Sequence, residues 1–165
     1  MRFRRAFTVR AEMDAVNKFH TRSTSMAAIT PPPIIVQLHH APPILQNGDQ
    51  MDFTLWLGPL PIRWTAQIER MSASGFIDRQ IRGSFEAWEH THIFSKIDDR
   101  TTEILDQVDA RLKKHPFWWL VGALMWIGLP LLFAYRGWKT RKLLQGAVQD
   151  RKPVAYDEAD ITAPD

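Results

Sequence analysis

The chain has 165 residues, of which 45% are hydrophobic, and a formal net charge of +3. This size predicts one globular domain with a real core, and the mild charge, without aromatics interleaved among basic residues, argues against nucleic-acid binding. The absence of cysteine excludes disulfides, thiolate chemistry and cysteine-ligated zinc. No apolar stretch follows the N-terminal arginines, so we expect no signal peptide and a cytoplasmic protein.

The first third of the chain predicts one strand, two short helices and a second strand. Apolar residues alternate with arginines over residues 2–10, which predicts an edge-type strand. Helical spacing follows over residues 11–20 and again over 24–29, where Pro31-Pro32-Pro33 stops the second helix. Residues 34–39 are rich in β-branched side chains and favour a strand.

The middle of the chain alternates between apolar and polar residues, as expected for an antiparallel sheet with one solvated face. This pattern predicts strands at residues 51–57, 62–71, 76–83, 88–97 and 101–112. From residue 116 to about 148 the period becomes helical, and the acidic segment 150–165 is predicted to be a disordered tail. The order of elements predicts an α+β domain over residues 1–149, in which the long helix covers the sheet.

Polar side chains fall on the predicted inner face of this sheet. Because side chains alternate along a strand, His90 and His92 share a face with Trp88 and Phe94. The same rule turns three further polar residues inward: Asp78, Gln80 and Asp106. Inward polar groups are costly unless they are paired or meet a polar ligand. We therefore expect a ligand pocket with a polar cluster on an apolar floor.

Four segments resemble the START-like helix-grip superfamily, SRPBCC, in its polyketide-cyclase-like bacterial branch. They are the segments 57–64 (LGPLPIRW), 78–85 (DRQIRGSF), 88–94 (WEHTHIF) and 132–136 (LFAYR). The resemblance covers roughly residues 2–144. It implies a curved seven-stranded antiparallel sheet around a long C-terminal helix, with a hydrophobic cavity between them. Members of the superfamily bind lipids, quinones or polyketides, and a minority are cyclases or dehydratases.

The resulting prediction is a protein that binds, transports or sequesters a hydrophobic small molecule between sheet and helix. The polar cluster would orient the ligand's head group, and burial would supply most of the affinity. The sheet residues predicted to shape the cavity are Phe53, Leu55, Trp64, Phe76, Trp88, Phe94, Ile104 and Val108. On the helix, the predicted inward side chains are Leu124, Leu131 and Phe133, and no cofactor is expected.

Two alternatives concern the chemistry of the polar cluster. His90 and His92 form an H-x-H pair that, with a carboxylate, can bind a metal, but the motif is short and a hydrogen-bonded network is favoured, so no metal is predicted. Asp106 could also hold a histidine in one tautomer and make it a general base. This second alternative is a cyclase or dehydratase that uses His90, His92 and Asp106.

The last helix carries a further alternative. Residues 117–135 contain no charged side chain, have aromatic residues at both ends and are flanked by basic residues, among them Arg136, which is typical of a single membrane span. We favour a lid over the sheet, because removing the helix would expose several hundred Å² of apolar sheet at ~25 cal/mol per Å². The outer side of such a lid would remain apolar and is expected to contact a membrane or a partner.

Overall fold

The computed structural model describes residues 1–149, with the side chains of residues 1–145. The predicted tail, residues 150–165, lies outside this range, so the assignment of residues 1–149 as the domain stays a prediction. The elements in chain order are β1 (Arg2–Val9), α1 (Met13–His20), α2 (Ser25–Ala28), β2 (Ile35–His40), β3 (Gln50–Leu57), β4 (Leu60–Ser72), β5 (Gly75–Arg82), β6 (Phe85–Asp98), β7 (Thr101–Leu112) and α3 (Pro116–Gln149).

The seven strands form one open antiparallel sheet in the order β1-β7-β6-β5-β4-β3-β2. From β2 to β7, strands that follow one another in the chain also lie next to one another in the sheet, and β1 pairs with the free edge of β7. The sheet alternates between buried and exposed side chains, most clearly along β4 and β7. The predicted fold class, an α+β helix-grip fold with two short helices after the first strand, is confirmed.

A glycine sets the turn between β4 and β5. Gly75 has φ of +136°, which side-chain-bearing residues rarely adopt, and a Cβ at this position would collide with the backbone oxygen of His92 on β6. Strand β5 therefore passes very close to β6 at its first residue. This pairing aligns Phe76 with His92 and Asp78 with His90.

Helix α3 lies against the concave face of the sheet, as predicted for the lid. Its inner side buries Val121, Leu129, Phe133 and Thr140. Gly137 lets the helix approach β1, since a Cβ there would sit 3.3 Å from the ring of Phe7. The same helix is the one element of residues 1–149 that is long and apolar enough to cross a membrane, over Pro116–Gln145.

The prediction of which side of α3 faces the sheet is correct for one residue and wrong for another. Phe133 is 1% exposed, whereas Leu131 is 77% exposed and contacts no cavity. Leu124 is 61% exposed but reaches the edge of the cavity described below. The error has a physical cause: the helix is apolar on every side, so its hydrophobic pattern does not distinguish an inner face.

Candidate functional site

A cavity of about 260 Å³ lies between the sheet and the inner side of α3. Strands β3, β4 and β6 form its floor, and α3 forms its roof. Residues after α1 close one end, through Met26, Thr30 and Ile34. Nearly all of its lining is apolar, and the polar exceptions are Thr30, Asp78, His90 and Arg136.

A second cavity of about 70 Å³ lies deeper, against α1 and strand β5. It shares four lining residues with the larger cavity: Met26, Asp78, His90 and Arg136. The remaining polar groups around it include His20 and His92. The polar cluster therefore lies where the larger cavity meets a smaller one that polar and apolar residues line together.

Asp106 on β7 accepts a hydrogen bond from His90 on β6. The distance from His90 Nε2 to Asp106 Oδ1 is 3.1 Å, and both side chains are buried. His92 Nδ1 lies 3.0 Å from the same oxygen but lacks the alignment of a hydrogen bond. Burial opposes ionisation of Asp106, yet the contacts with the two imidazoles hold the pKa of this carboxyl below its ordinary value. The site thus contains a buried carboxylate that orients His90.

The histidines themselves are held in the neutral form. Burial lowers the pKa of His90, and burial together with the neighbouring charge of His90 lowers the pKa of His92. His20 on α1 packs against His92, with ring centroids 5.8 Å apart, and its Nδ1 lies 2.9 Å from the carbonyl oxygen of Val16. Burial and the charge of His92 lower the pKa of His20 to about 4. At neutral pH these rings are proton acceptors rather than cations.

Two charged side chains at the cavity wall have buried atoms without a hydrogen-bond partner. They are Asp78 Oδ1 on β5 and Arg136 Nε on α3. Burial raises the pKa of Asp78 and lowers the pKa of Arg136, because both are removed from water. Among residues 1–145, no carboxylate lies within salt-bridge distance of Arg136. Unpaired buried polar atoms are costly, and both residues line the two cavities, so this wall favours a ligand that carries a polar group.

The predicted site residues divide into four groups. Asp78 and His90 line both cavities. Phe53, Leu55, Trp64, Trp88, Leu124 and Phe133 line the larger one, and Phe76 and His92 line the smaller one. The residues that line neither cavity are Phe94, Ile104, Asp106, Val108, Gln80 and Leu131. Gln80 lines neither cavity, because its side chain bonds the backbone of Phe85 at both its amide and its carbonyl.

The sequence analysis missed Arg136, the guanidinium that lines both cavities. It had placed this residue among the basic residues flanking a span. The missed signal is its spacing from Phe133, since residues i and i+3 share a helix face, and the Arg136 Cζ lies 5.3 Å from the Phe133 ring. His20 was also missed, because its helix gave no reason to face β6 rather than solvent.

A metal could be held by His90, His92 and Asp106, whose ligand atoms lie within 4.8 Å of one another. Two histidines and a carboxylate form a recognised donor set for divalent iron. The hydrogen bond between His90 and Asp106 accounts for the same geometry without a metal, and the positive charge of Arg136 beside the cluster opposes a second cation. The prediction of no metal therefore stays a prediction.

Comparison with known proteins finds similarity in structure alone. No protein-family model matches the chain, and no curated protein matches its sequence. The Zhui aromatase/cyclase from Streptomyces sp. R1128 superimposes with a TM-score of 0.63 at 15% identity, covering 87% of this chain and 95% of that one. Norcoclaurine synthase from Thalictrum flavum, solved with dopamine and hydroxybenzaldehyde, gives 0.63 at 13% identity, with 92% and 88% covered.

A third similar structure is major latex-like protein 151 from Panax ginseng. Its TM-score is 0.59 at 9% identity, and the alignment covers 87% of this chain and 97% of that chain. All three alignments span nearly the whole of both molecules, although sequence identity is low. The open seven-stranded sheet and its C-terminal helix therefore show that the chain has the helix-grip fold of these proteins.

Proposed function

We propose that this protein binds a small hydrophobic molecule that carries one polar group, in the cavity between the sheet and α3. The observation that carries the proposal is the lining of this cavity, which is apolar except at Thr30, Asp78, His90 and Arg136. Such a chamber favours burial of an apolar body, while a few polar side chains fix its orientation. The role is binding, transport or sequestration of a lipid, quinone or polyketide in the cytoplasm.

The polar group of the ligand is expected at the end where Asp78 and Arg136 meet the cavity. Arg136 Nε is a donor without an acceptor, and Asp78 Oδ1 is a free acceptor, or a donor when protonated. A hydroxyl, carbonyl or carboxylate of the ligand can satisfy one or both. An unpaired buried polar group costs roughly 1–3 kcal/mol. A ligand whose polar group bonds to these atoms should therefore bind more tightly than one without it.

Two of the solved structures with this fold support a small-molecule role. Norcoclaurine synthase was solved with two small aromatic molecules bound, and the Streptomyces protein is named an aromatase/cyclase. Both names concern those proteins. They are consistent with a cavity in this fold that accepts an aromatic or polyketide-like body.

The test is native mass spectrometry of the protein purified from its own host, compared with two variants. Gly128 lines the cavity, and a Cβ there meets no atom within 4 Å, so Gly128→Phe introduces a ring at the cavity wall without displacing the chain. Its neighbour Ile127 is 73% exposed, so Ile127→Phe is the matched control. We expect a co-purifying mass in the wild type and the control, reduced at least tenfold in Gly128→Phe. Equal ligand content in all three proteins would contradict the proposal.

A second candidate function is an enzyme of the cyclase or dehydratase type. The observation that favours it is the buried pair of Asp106 and His90, in which the imidazole lines the cavity and is neutral at pH 7. A neutral, oriented histidine in an apolar chamber is a general base. In an enzyme, Asp106→Asn and His92→Ala should lower turnover by orders of magnitude while the ligand still binds. In a binding protein, both variants should keep most of the affinity and no turnover should be found in the wild type.

A further inference from the structure

The outer side of α3 carries a continuous apolar surface that residues 1–145 do not cover. We call this surface the outer stripe; its residues are Phe117, Leu120, Leu124, Ile127, Leu131 and Trp138. They recur at intervals of three, four or seven positions, and each side chain is 49–77% exposed. At 1.5 Å per residue the stripe is about 32 Å long. Only 22% of the most apolar window of α3 is buried inside the protein. Exposed apolar surface of this extent marks an interaction site.

Basic residues flank this stripe along α3, and acidic residues are absent from that part of the sequence. Between Asp109 and Asp150 the sequence contains no acidic residue. Lys114 precedes the stripe, and Arg141 and Lys142 follow it, all three exposed. Aromatic side chains stand at both ends; the Trp138 ring contacts the Tyr135 ring at a tilt, and the ammonium of Lys142 lies over it. Aromatic rings and basic side chains beside an apolar helix face are the features that favour a membrane interface with anionic lipids.

The geometry points to a lipid surface: we propose that α3 docks with its outer stripe in the head-group region of an anionic bilayer, lying in the membrane plane while its inner side stays on the sheet. A second copy of the chain is a poorer occupant. In either a parallel or an antiparallel pairing of two stripes, basic ends would meet basic ends, with no acidic residue on α3 to neutralise them. Anionic lipid head groups supply the missing charge.

Docking in this orientation would also bring the proposed ligand cavity to the lipid. Leu124 belongs both to the outer stripe and to the cavity lining, and Gly128 beside it is exposed and lines the same cavity. A hydrophobic ligand could then pass between bilayer and cavity beside α3 without crossing water. The surface itself does not rest on the proposed ligand function, since it is defined by exposure and charge alone.

The first test is sedimentation of the full chain with vesicles of phosphatidylcholine, alone or mixed equally with phosphatidylglycerol. We expect binding to the anionic vesicles that weakens in high salt, and at least tenfold weaker binding in the double variant Ile127→Glu, Leu131→Glu. Ile81 is 53% exposed on the convex side of the sheet, so Ile81→Glu is the matched control and should bind like the wild type. Absence of binding, or an unchanged double variant with unchanged unfolding free energy, would overturn the proposal.

The second test measures depth and separates docking from spanning. Since the chain has no cysteine, single cysteines at Leu120, Ile127 and Leu131 can each carry one fluorophore. Quenching by nitroxides placed at known depths in the lipid should give the same shallow depth at all three positions. A deep Ile127 with shallower flanking positions would indicate a span and overturn the proposal. Self-association of the protein without lipid, abolished by the double variant and with no vesicle binding, would identify a second copy instead.

Discussion

Replacing Phe133 by alanine tests whether α3 is a lid on the sheet. Phe133 is 1% exposed. Its ring contacts Phe3 on β1 at a centroid distance of 5.3 Å and His90 on β6 at 5.2 Å. These contacts exist only while the helix lies across the concave face. The variant therefore removes packing between α3 and two strands, with no change to the strands themselves.

The expected loss follows from the packing of this ring. Truncation of a buried phenylalanine to alanine costs about 3–5 kcal/mol, and an aromatic pair adds about 0.5–1.5 kcal/mol beyond burial. Phe133 lines the cavity, so part of its surroundings is already open. The loss of stability should therefore fall at the lower end of the range for phenylalanine truncation. We expect Phe133→Ala to lower the free energy of unfolding by about 3 kcal/mol, a large part of the 5–15 kcal/mol typical of a domain.

The measurement is urea unfolding followed by circular dichroism, with Leu131→Ala as the control on the same helix. Leu131 is 77% exposed, so its truncation should change the free energy of unfolding by no more than about 0.5 kcal/mol. Both variants should keep the wild-type dependence on urea, which reports the surface exposed on unfolding. A loss below about 1 kcal/mol in Phe133→Ala, or equal losses in both variants, would refute the placement of α3 on the sheet.

Three further predictions concern buried ionisable groups and a turn. The pKa of His20 is lowered to about 4, so between pH 6.5 and 4 the unfolded chain binds a proton that the folded chain does not. The free energy of unfolding should therefore fall by roughly 3 kcal/mol on acidification through this window. Urea titrations of His20→Gln should lack that part of the fall. Burial raises the pKa of Asp78, so the folded protein loses stability as rising pH ionises this carboxyl. Asp78→Asn should therefore unfold at a higher urea concentration than the wild type at pH 7, and show no such gain at pH 3. Gly75→Ala should lower the melting temperature, and should lower the free energy of unfolding by more than about 2 kcal/mol, because the new Cβ combines a positive φ with a backbone collision. Gly48→Ala should cost less, because Gly48 has a positive φ but open space around it.

The sheet was predictable because its signal is a strict period of two. Alternation alone placed His90, His92 and Asp106 on one face, and the Asp98-Asp99-Arg100 turn made β6 and β7 neighbours. What alternation does not supply is the register. A bulge between Lys96 and Asp98 shifts the pairing, and only this shifted register aligns His92 with Asp106. His90, His92 and Asp106, and a hydrogen-bonded network among them, therefore followed from the sequence, but the choice of His90 as the partner of Asp106 did not.

The inner side of α3 was harder to predict, because its sequence has no contrast between a polar and an apolar side. Leu131 and Phe133 are both apolar, yet one is in solvent and the other is in the core. Burial of a helix face is usually indicated by polar residues on the opposite face, and α3 has none over residues 117–135. The outer stripe explains this absence physically, because a second apolar environment removes the need for a polar face.

Small residues, rather than hydrophobicity, specify how α3 sits on the sheet. Any rotation of this helix would bury apolar side chains, so burial alone does not select one. Two buried glycines break the degeneracy: a Cβ on Gly122 would sit 2.8 Å from the side chain of Leu112, and a Cβ on Gly137 would sit 3.3 Å from the ring of Phe7. Turning α3 by half a turn would bring larger side chains to both close approaches. Charge does not favour this orientation, because burial lowers the pKa of Arg136 although Asp106 and Asp78 act to raise it. The close contacts at the two glycines are therefore what fix the inner face of the lid.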